Sequence, residues 1–144
     1  MVSYPADLPG IIAVSATNHV DELKTTTSSD GEKWGTNYGP QIAIAAPGVR
    51  NLTTDITGAG GYDGSGYFPM FNGTSSSTPL VAGAAALVLS VAPELPATEV
   101  RKLLCETADK VGPYEYTGGR NNQFGHGRLN VLKAVTAAKA MADV

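Results

Sequence analysis

Apolar positions along the chain fall into two short continuous runs, then one long one, then two stripes of helical period. Ile11–Ala16 and Ile42–Ala46 are nearly unbroken apolar stretches bounded by Pro9-Gly10 and Pro47-Gly48. Runs of that length without alternation predict strands covered on both faces, as in a parallel sheet. Asn51–Thr54 predicts a third, shorter strand. From Gly64 to Pro93 no Asp, Glu, Lys or Arg occurs, and Ser75 to about Val91 predicts a helix that is apolar all round and therefore buried on all sides. Pro79 is tolerable there because first-turn amides have no intrahelical partner. A second helix is expected from Pro96 to Ala108, with Val100, Leu103, Leu104 and Ala108 as its stripe and Arg101 and Lys102 on the wet side. A last helix from Asn130 to about Ala142 would use Val131, Leu132, Val135, Ala138 and Met141.

The connecting stretches are polar. Asn18–Pro40 predicts a surface excursion with turns, in which Trp34 reads first as a clamp pinning the loop to the surface and second as a substrate contact. Gly58–Gly66 carries five glycines and predicts a flexible surface loop. Its spacing is not the dinucleotide-binding Gly-x-Gly-x-x-Gly, and no apolar helix follows directly. Val111–Gly127 is a loop rich in Gly, Tyr and Asn. Parallel strands with intervening helices place the chain in the α/β class.

Composition narrows the partners. At 144 residues the length suits one domain, without an internal repeat or boundary. Net charge of -3, with no block of Lys and Arg, argues against nucleic acid as the main partner. The single cysteine, Cys105, excludes an internal disulfide and reads as a small core residue. Met1–Pro5 has neither the basic nor the apolar region of a signal peptide. The apolar run Pro79–Pro93, about fifteen residues, is short for a bilayer, so no membrane partner is expected.

Candidate chemistry centres on Gly73-Thr74-Ser75-Ser76-Ser77 at the mouth of the long apolar helix. A serine hydroxyl is a weak nucleophile until a base, usually a histidine oriented by a carboxylate, takes its proton. It also needs hydrogen-bond donors for the oxyanion, and the free amides of a helix N-terminus supply some. Taken alone, Gly-x-Ser before a helix is a weak signal, and a serine at a helix start is more often a simple N-cap.

Gly73-Thr74-Ser75-Ser76-Ser77-Thr78-Pro79-Leu80-Val81-Ala82-Gly83 closely resembles the serine box of the subtilisin-like serine proteases, G-T-S-x-[AS]-[ST]-P-x-V-A-G. Tyr4-Pro5-Ala6 with Ile12–Ala16 resembles the segment after that family's oxyanion asparagine. Ser29-Asp30-Gly31 through Tyr38-Gly39-Pro40 is similar to its approach to the Ala45-Ala46-Pro47-Gly48 turn. Glu99-Val100-Arg101, Thr107-Ala108 and Gly125-x-Gly127-Arg128-Leu129-Asn130 match the helices that close its domain. The resemblance is collinear over nearly all 144 residues. It implies residues 1–144 as a single partial domain, the C-terminal half of a three-layer catalytic domain, with a parallel sheet and a buried central helix starting at Ser75.

The same resemblance implies Ser75 as nucleophile, the backbone at Thr74 and Ser75 as oxyanion support, and Ser3, Tyr4 and Asn72 near the substrate pocket. Ser76 and Ser77 stand where the family often has Met and Ala, and Leu80 where it often has His. The family's order is Asp, His, Ser, and its Asp, His and oxyanion Asn match nothing in this chain. His19, in Thr17-Asn18-His19-Val20-Asp21, has neither the His-Gly-Thr context nor the spacing. The expectation is a peptide-bond hydrolase in the intact protein and an inactive isolated chain, completed by an N-terminal half of the same domain. Protein or peptide substrates, an extracellular or cell-envelope location and a structural calcium ion in the intact domain belong to the same implication; no metal-ligand spacing is visible in this chain.

Two rivals remain at this stage. An α/β-hydrolase would use Ser75, Asp109 and His126 in that order, against a serine at position 77 where its elbow needs glycine. A non-catalytic binding or scaffold module derived from a subtilase would need no base at all. Asn51-Leu52-Thr53 and Asn72-Gly73-Thr74 also fit the glycosylation sequon, the second where a glycan would block substrate.

Overall fold

The computed structural model describes residues 1–142. Its centre is a parallel pair, β1 (Ala13–Thr17) and β2 (Ile42–Pro47), with Val14 opposite Ile44 and Ala16 opposite Ala46. Residues 126–129 lie along the other edge of β2. The Ala45 amide donates to Gly127 O at 2.9 Å and the Leu129 amide to Ala45 O at 2.8 Å. Strand alternation then sorts the side chains. Ile44 and Ala46 pack against the helices, whereas Ala45 packs on the other side with Leu23 and Phe124.

Three helices cover the first side: α1 (Thr74–Val91), α2 (Ala97–Glu106) and α3 (Val131–Ala142). Their core combines Val81, Ala84 and Val88 of α1, Val100, Leu103 and Leu104 of α2, and Ala134 and Ala138 of α3. Small residues on α1 and α3 let those two helices approach closely. Pro96 precedes α2 as its cap, in extended conformation, instead of opening the first turn. Asn130 caps α3, its Oδ1 accepting from the Lys133 amide at 3.0 Å. Leu132 and Met141, expected on the inner stripe of α3, are exposed; Ala134 and Ala138 take the core because α1 leaves room only for small side chains.

Helix α1 is not buried all round. Its inward stripe is Ser77, Val81, Ala84 and Val88, at helical spacing, while Leu80, Leu87 and Leu89 are 42%, 51% and 38% exposed. The helix has the sheet and α3 on one side, and none of the described residues covers the other. Apolar composition identified a helix suited to a double-sided interior. It carried no information about what supplies the second side.

A fourth strand was not expected. β3 (Asn51–Thr54) pairs antiparallel with β4 (Tyr67–Phe71), with a register shift between Asn51 and Thr53. Pro69 inside β4 cannot donate to a ladder, and the strand buries no face, so its sequence shows no alternation to read. The glycine-rich connection holds a short 3₁₀ turn, Gly58–Gly60, and folds back on Asp55, whose carboxylate accepts from the Tyr62 and Asp63 amides.

The 18–40 excursion also departs from a solvated loop. Lys24 is fully buried within it, and Asp30 is 7% exposed. At the far end, Arg128 bridges Asp21 at 2.6 Å and Asp109 at 2.9 Å, joining the turn after β1 to the chain before α3.

Candidate active site

Strand β4 enters α1 through Gly73, whose φ of 113° lies where side chains other than glycine are strained. This turn is fixed to the turn that follows β2. The Gly73 amide donates to Gly48 O at 2.9 Å, and the Arg50 amide to Asn72 Oδ1 at 2.8 Å. Asn51 Nδ2 donates to Ser76 Oγ at 2.6 Å and to Pro47 O at 2.9 Å. Gly48 has no room for a side chain: a Cβ there would stand 2.5 Å from Ser77 Oγ and 2.8 Å from Ala16 Cβ.

These contacts separate the three serines. Ser76 is 4% exposed and held by Asn51; Ser77 is fully buried, its hydroxyl unpartnered beneath Gly48. Ser75 is the exposed member, at the first turn of α1. The Ser76 and Ser77 amides point back to Gly73 O, at 2.9 and 3.3 Å. The Thr74 and Ser75 amides have no partner among the described residues, so the positive end of the helix dipole is open there.

A cavity of about 310 Å³ opens beside Ser75. Gly73, Thr74 and Ser75 form one side; Val2, Ser3, Ala6, Ala13 and Ile42 the inner wall; Trp34, Gly35 and Asn37 the third. None of its lining residues is charged. Ser3 is therefore at the cavity. Tyr4 is 78% exposed and does not line it, and Asn72 is occupied with the Arg50 amide. Sequence reads Trp34 as a loop clamp before a substrate contact and does not single out Gly35 and Asn37, because polar loop composition says nothing about which part of the loop returns to the sheet. Gly48 and Asn51 were read as a strand stop and a strand start, and their role in seating the serine turn has no local sequence signal.

Neither histidine is hydrogen-bonded to Ser75. His19 is exposed in the turn after β1. The His126 amide is taken by Ala43 O at 2.8 Å, and burial, followed by the Lys110 charge, pulls its imidazole below the usual pKa. Asp109 is committed elsewhere. Its carboxylate accepts from Lys133 at 2.6 Å, from Asn130 at 2.9 Å and from Arg128 at 2.9 Å, which holds its pKa down at about 2. Ser75, Asp109 and His126 thus form no relay. No three of His, Cys, Asp and Glu among the described residues gather as a metal site.

Comparison with known proteins identifies the family of the chain. A sequence model of the subtilase family matches residues 1–127. The chain is 36% identical over 133 residues to Subtilisin DY of Bacillus licheniformis, covering 92% of this chain and 40% of that protein. It is 39% identical over 137 residues to an extracellular protease of Xanthomonas campestris pv. campestris, covering 94% of this chain and 21% of the relative. Among solved structures, fervidolysin from Fervidobacterium pennivorans, a keratinolytic enzyme related to subtilisin, superposes with a TM-score of 0.68 at 26% identity, over 92% of this chain and 20% of its own. The chain thus spans well under half the length of these relatives, and it belongs to the subtilase family of serine proteases.

Proposed function

We propose that this chain carries the nucleophile and part of the substrate pocket of a serine endopeptidase whose base and orienting acid lie outside it. Ser75 Oγ would attack the scissile carbonyl. The Thr74 and Ser75 amides would receive the oxyanion, where donors fixed before the reaction are most effective. The uncharged cavity lined by Ser3 and Trp34 would take a substrate side chain. The single observation that supports this most is the selective exposure of Ser75, beside open amides and a cavity, among three consecutive serines.

An N-terminal half of the same domain would supply Asp, His and the side-chain oxyanion donor, docking on the bare face of α1. The uncovered Leu80 and Leu87 support that partner. A location outside the cell or in its envelope fits a relative described as extracellular. The 144-residue chain alone would hydrolyse no peptide at a useful rate, since no base reaches Ser75 and members of such a unit act together. A fluorophosphonate probe tests this. Slow or no labelling of the lone chain, and rapid labelling at Ser75 once an upstream Asp/His half is added, is the expected result. Rapid labelling of the lone chain overturns the missing-base reading, and no labelling in the assembled domain favours the non-catalytic module.

A further inference from the structure

The loop between β1 and β2 is built around a cation of its own. Lys24 Nζ, fully buried, lies 2.6 Å from Thr25 O, 2.8 Å from Ser28 Oγ, 2.9 Å from Glu32 O and 3.0 Å from Asp30 Oδ1. Four oxygens from one stretch of nine residues (24–32) converge on a single ammonium. Asp30 is itself held from several directions, accepting from Ser28 Oγ at 2.6 Å and from the Glu32 amide at 2.9 Å. A buried charge so fully partnered is costly to disturb, because loss of one partner leaves the other without solvation. The lysine backbone is clamped as well: its amide donates to Ala16 O and its carbonyl accepts from the Thr36 amide, both at 2.9 Å.

The indole of Trp34 lies over the same ammonium, 5.2 Å from Nζ to the ring centroid, within range of a cation–π attraction. Trp34 also forms part of the wall of the cavity beside Ser75. One face of the loop is therefore the Lys24 centre and another is the substrate pocket. We propose that Lys24 is a positioning residue for that pocket: its buried ammonium, gripped by Thr25, Ser28, Asp30 and Glu32, fixes Trp34 as the wall that a substrate side chain meets. This rests on the cavity being the substrate pocket, and it assigns to a lysine remote from Ser75 the placement of one of its walls. A purely structural salt bridge would stabilise the loop without setting where the indole sits.

Trp34 is the only tryptophan, so a 5-fluorotryptophan-labelled chain gives a single fluorine resonance from the site. Lys24→Met keeps the length of the stem and removes the charge; Lys102→Met, at an exposed pair with Glu99, is the control. The expected result is a folded Lys24→Met chain by circular dichroism, with the Trp34 line shifted or split and iodide quenching raised, while Lys102→Met matches wild type. Neutral benzamide serves as cavity probe. It should move the wild-type line saturably and bind about ten-fold more weakly to Lys24→Met, a loss of about 1.4 kcal/mol. If Lys24→Met does not fold, Ser28→Ala, which removes one of the four oxygens, should shift the line by a smaller amount. A folded variant with the wild-type Trp34 line overturns the proposal, and so does benzamide that leaves the wild-type line untouched. Failure of Ser75 to label with fluorophosphonate once an upstream Asp/His half is added would instead strike the peptidase reading and leave these spectra unaffected.

Discussion

Asn51 Nδ2 reaches across from β3 to donate to Ser76 Oγ at 2.6 Å, one residue past the exposed Ser75. The same amide also holds Pro47 O, so one side chain joins the end of β2 to the start of α1. Asn51→Ala removes both bonds and leaves a buried hydroxyl unpaired, which costs about 1–3 kcal/mol. The expected outcome is a lower Tm by calorimetry and slower fluorophosphonate labelling of Ser75 in the assembled domain. Unchanged labelling would show that the Gly48–Gly73 and Arg50–Asn72 contacts hold the serine turn without Asn51.

Gly48→Ala tests that contact. The added Cβ would meet Ser77 Oγ at 2.5 Å, Ala16 Cβ at 2.8 Å and Gly73 O at 3.0 Å, and two of those neighbours belong to rigid backbone or sheet. Overpacking of this kind costs about 1–3 kcal/mol. Ser77→Ala should behave in the opposite way. Its hydroxyl is buried without a partner, so removal is expected to leave urea stability unchanged or raise it. A loss above about 1 kcal/mol would mean that Ser77 has a hydrogen-bond partner after all.

The two sides of α1 predict opposite behaviour. Leu87→Arg, at a half-exposed position, should leave the melting of the lone chain within about 0.5 kcal/mol of wild type and prevent assembly with the upstream half. Val88→Asp, at a position with no exposure, should unfold the chain, since an unpaired carboxylate there has no solvation. Melting curves and a pull-down of the upstream half separate the two.

Acid stability should depend on Asp109. Its pKa falls from the ordinary 3.8 to about 2, chiefly through Lys133, then Asn130. A depressed folded pKa contributes stability that is present above about pH 4 and lost as pH falls toward 2. Full conversion of that shift would be about 2 kcal/mol, and solvent screening of a surface cluster brings it nearer 1 kcal/mol. Asp109→Asn should flatten the loss of urea stability between pH 4 and pH 2. An acid limb as steep as wild type would exclude Asp109 as its source.

Local constraints made the two core strands and the serine turn legible, and the resemblance of the whole Gly73–Gly83 stretch to the subtilisin-like serine box singled out Ser75 within it. Apolar runs without alternation marked β1 and β2, and glycine before three serines and an apolar helix marked the turn that exposes Ser75. β4 was illegible because Pro69 and a strand without a buried face erase the period. Lys24 was illegible for a different reason. Charge in a polar stretch reads as solvated, and only the folded loop shows its oxygens turned inward onto the ammonium. The bare face of α1 lay beyond the sequence in a third way, since composition reports that a surface prefers cover and never whether cover is there.

At Gly48 and Gly73 two backbones abut, with a hydrogen bond of 2.9 Å between them and space for nothing else. Ser75 therefore takes its coordinates from the end of β2, a strand wholly within this chain. On the proposed reading, the contacts that seat the serine turn, Gly48 with Gly73 and Asn51 with Ser76, all lie within this chain. If the proposed upstream half exists, assembly becomes a matter of bringing a base to a fixed target, and a half of different sequence would serve so long as it covers α1 and delivers its histidine to that point.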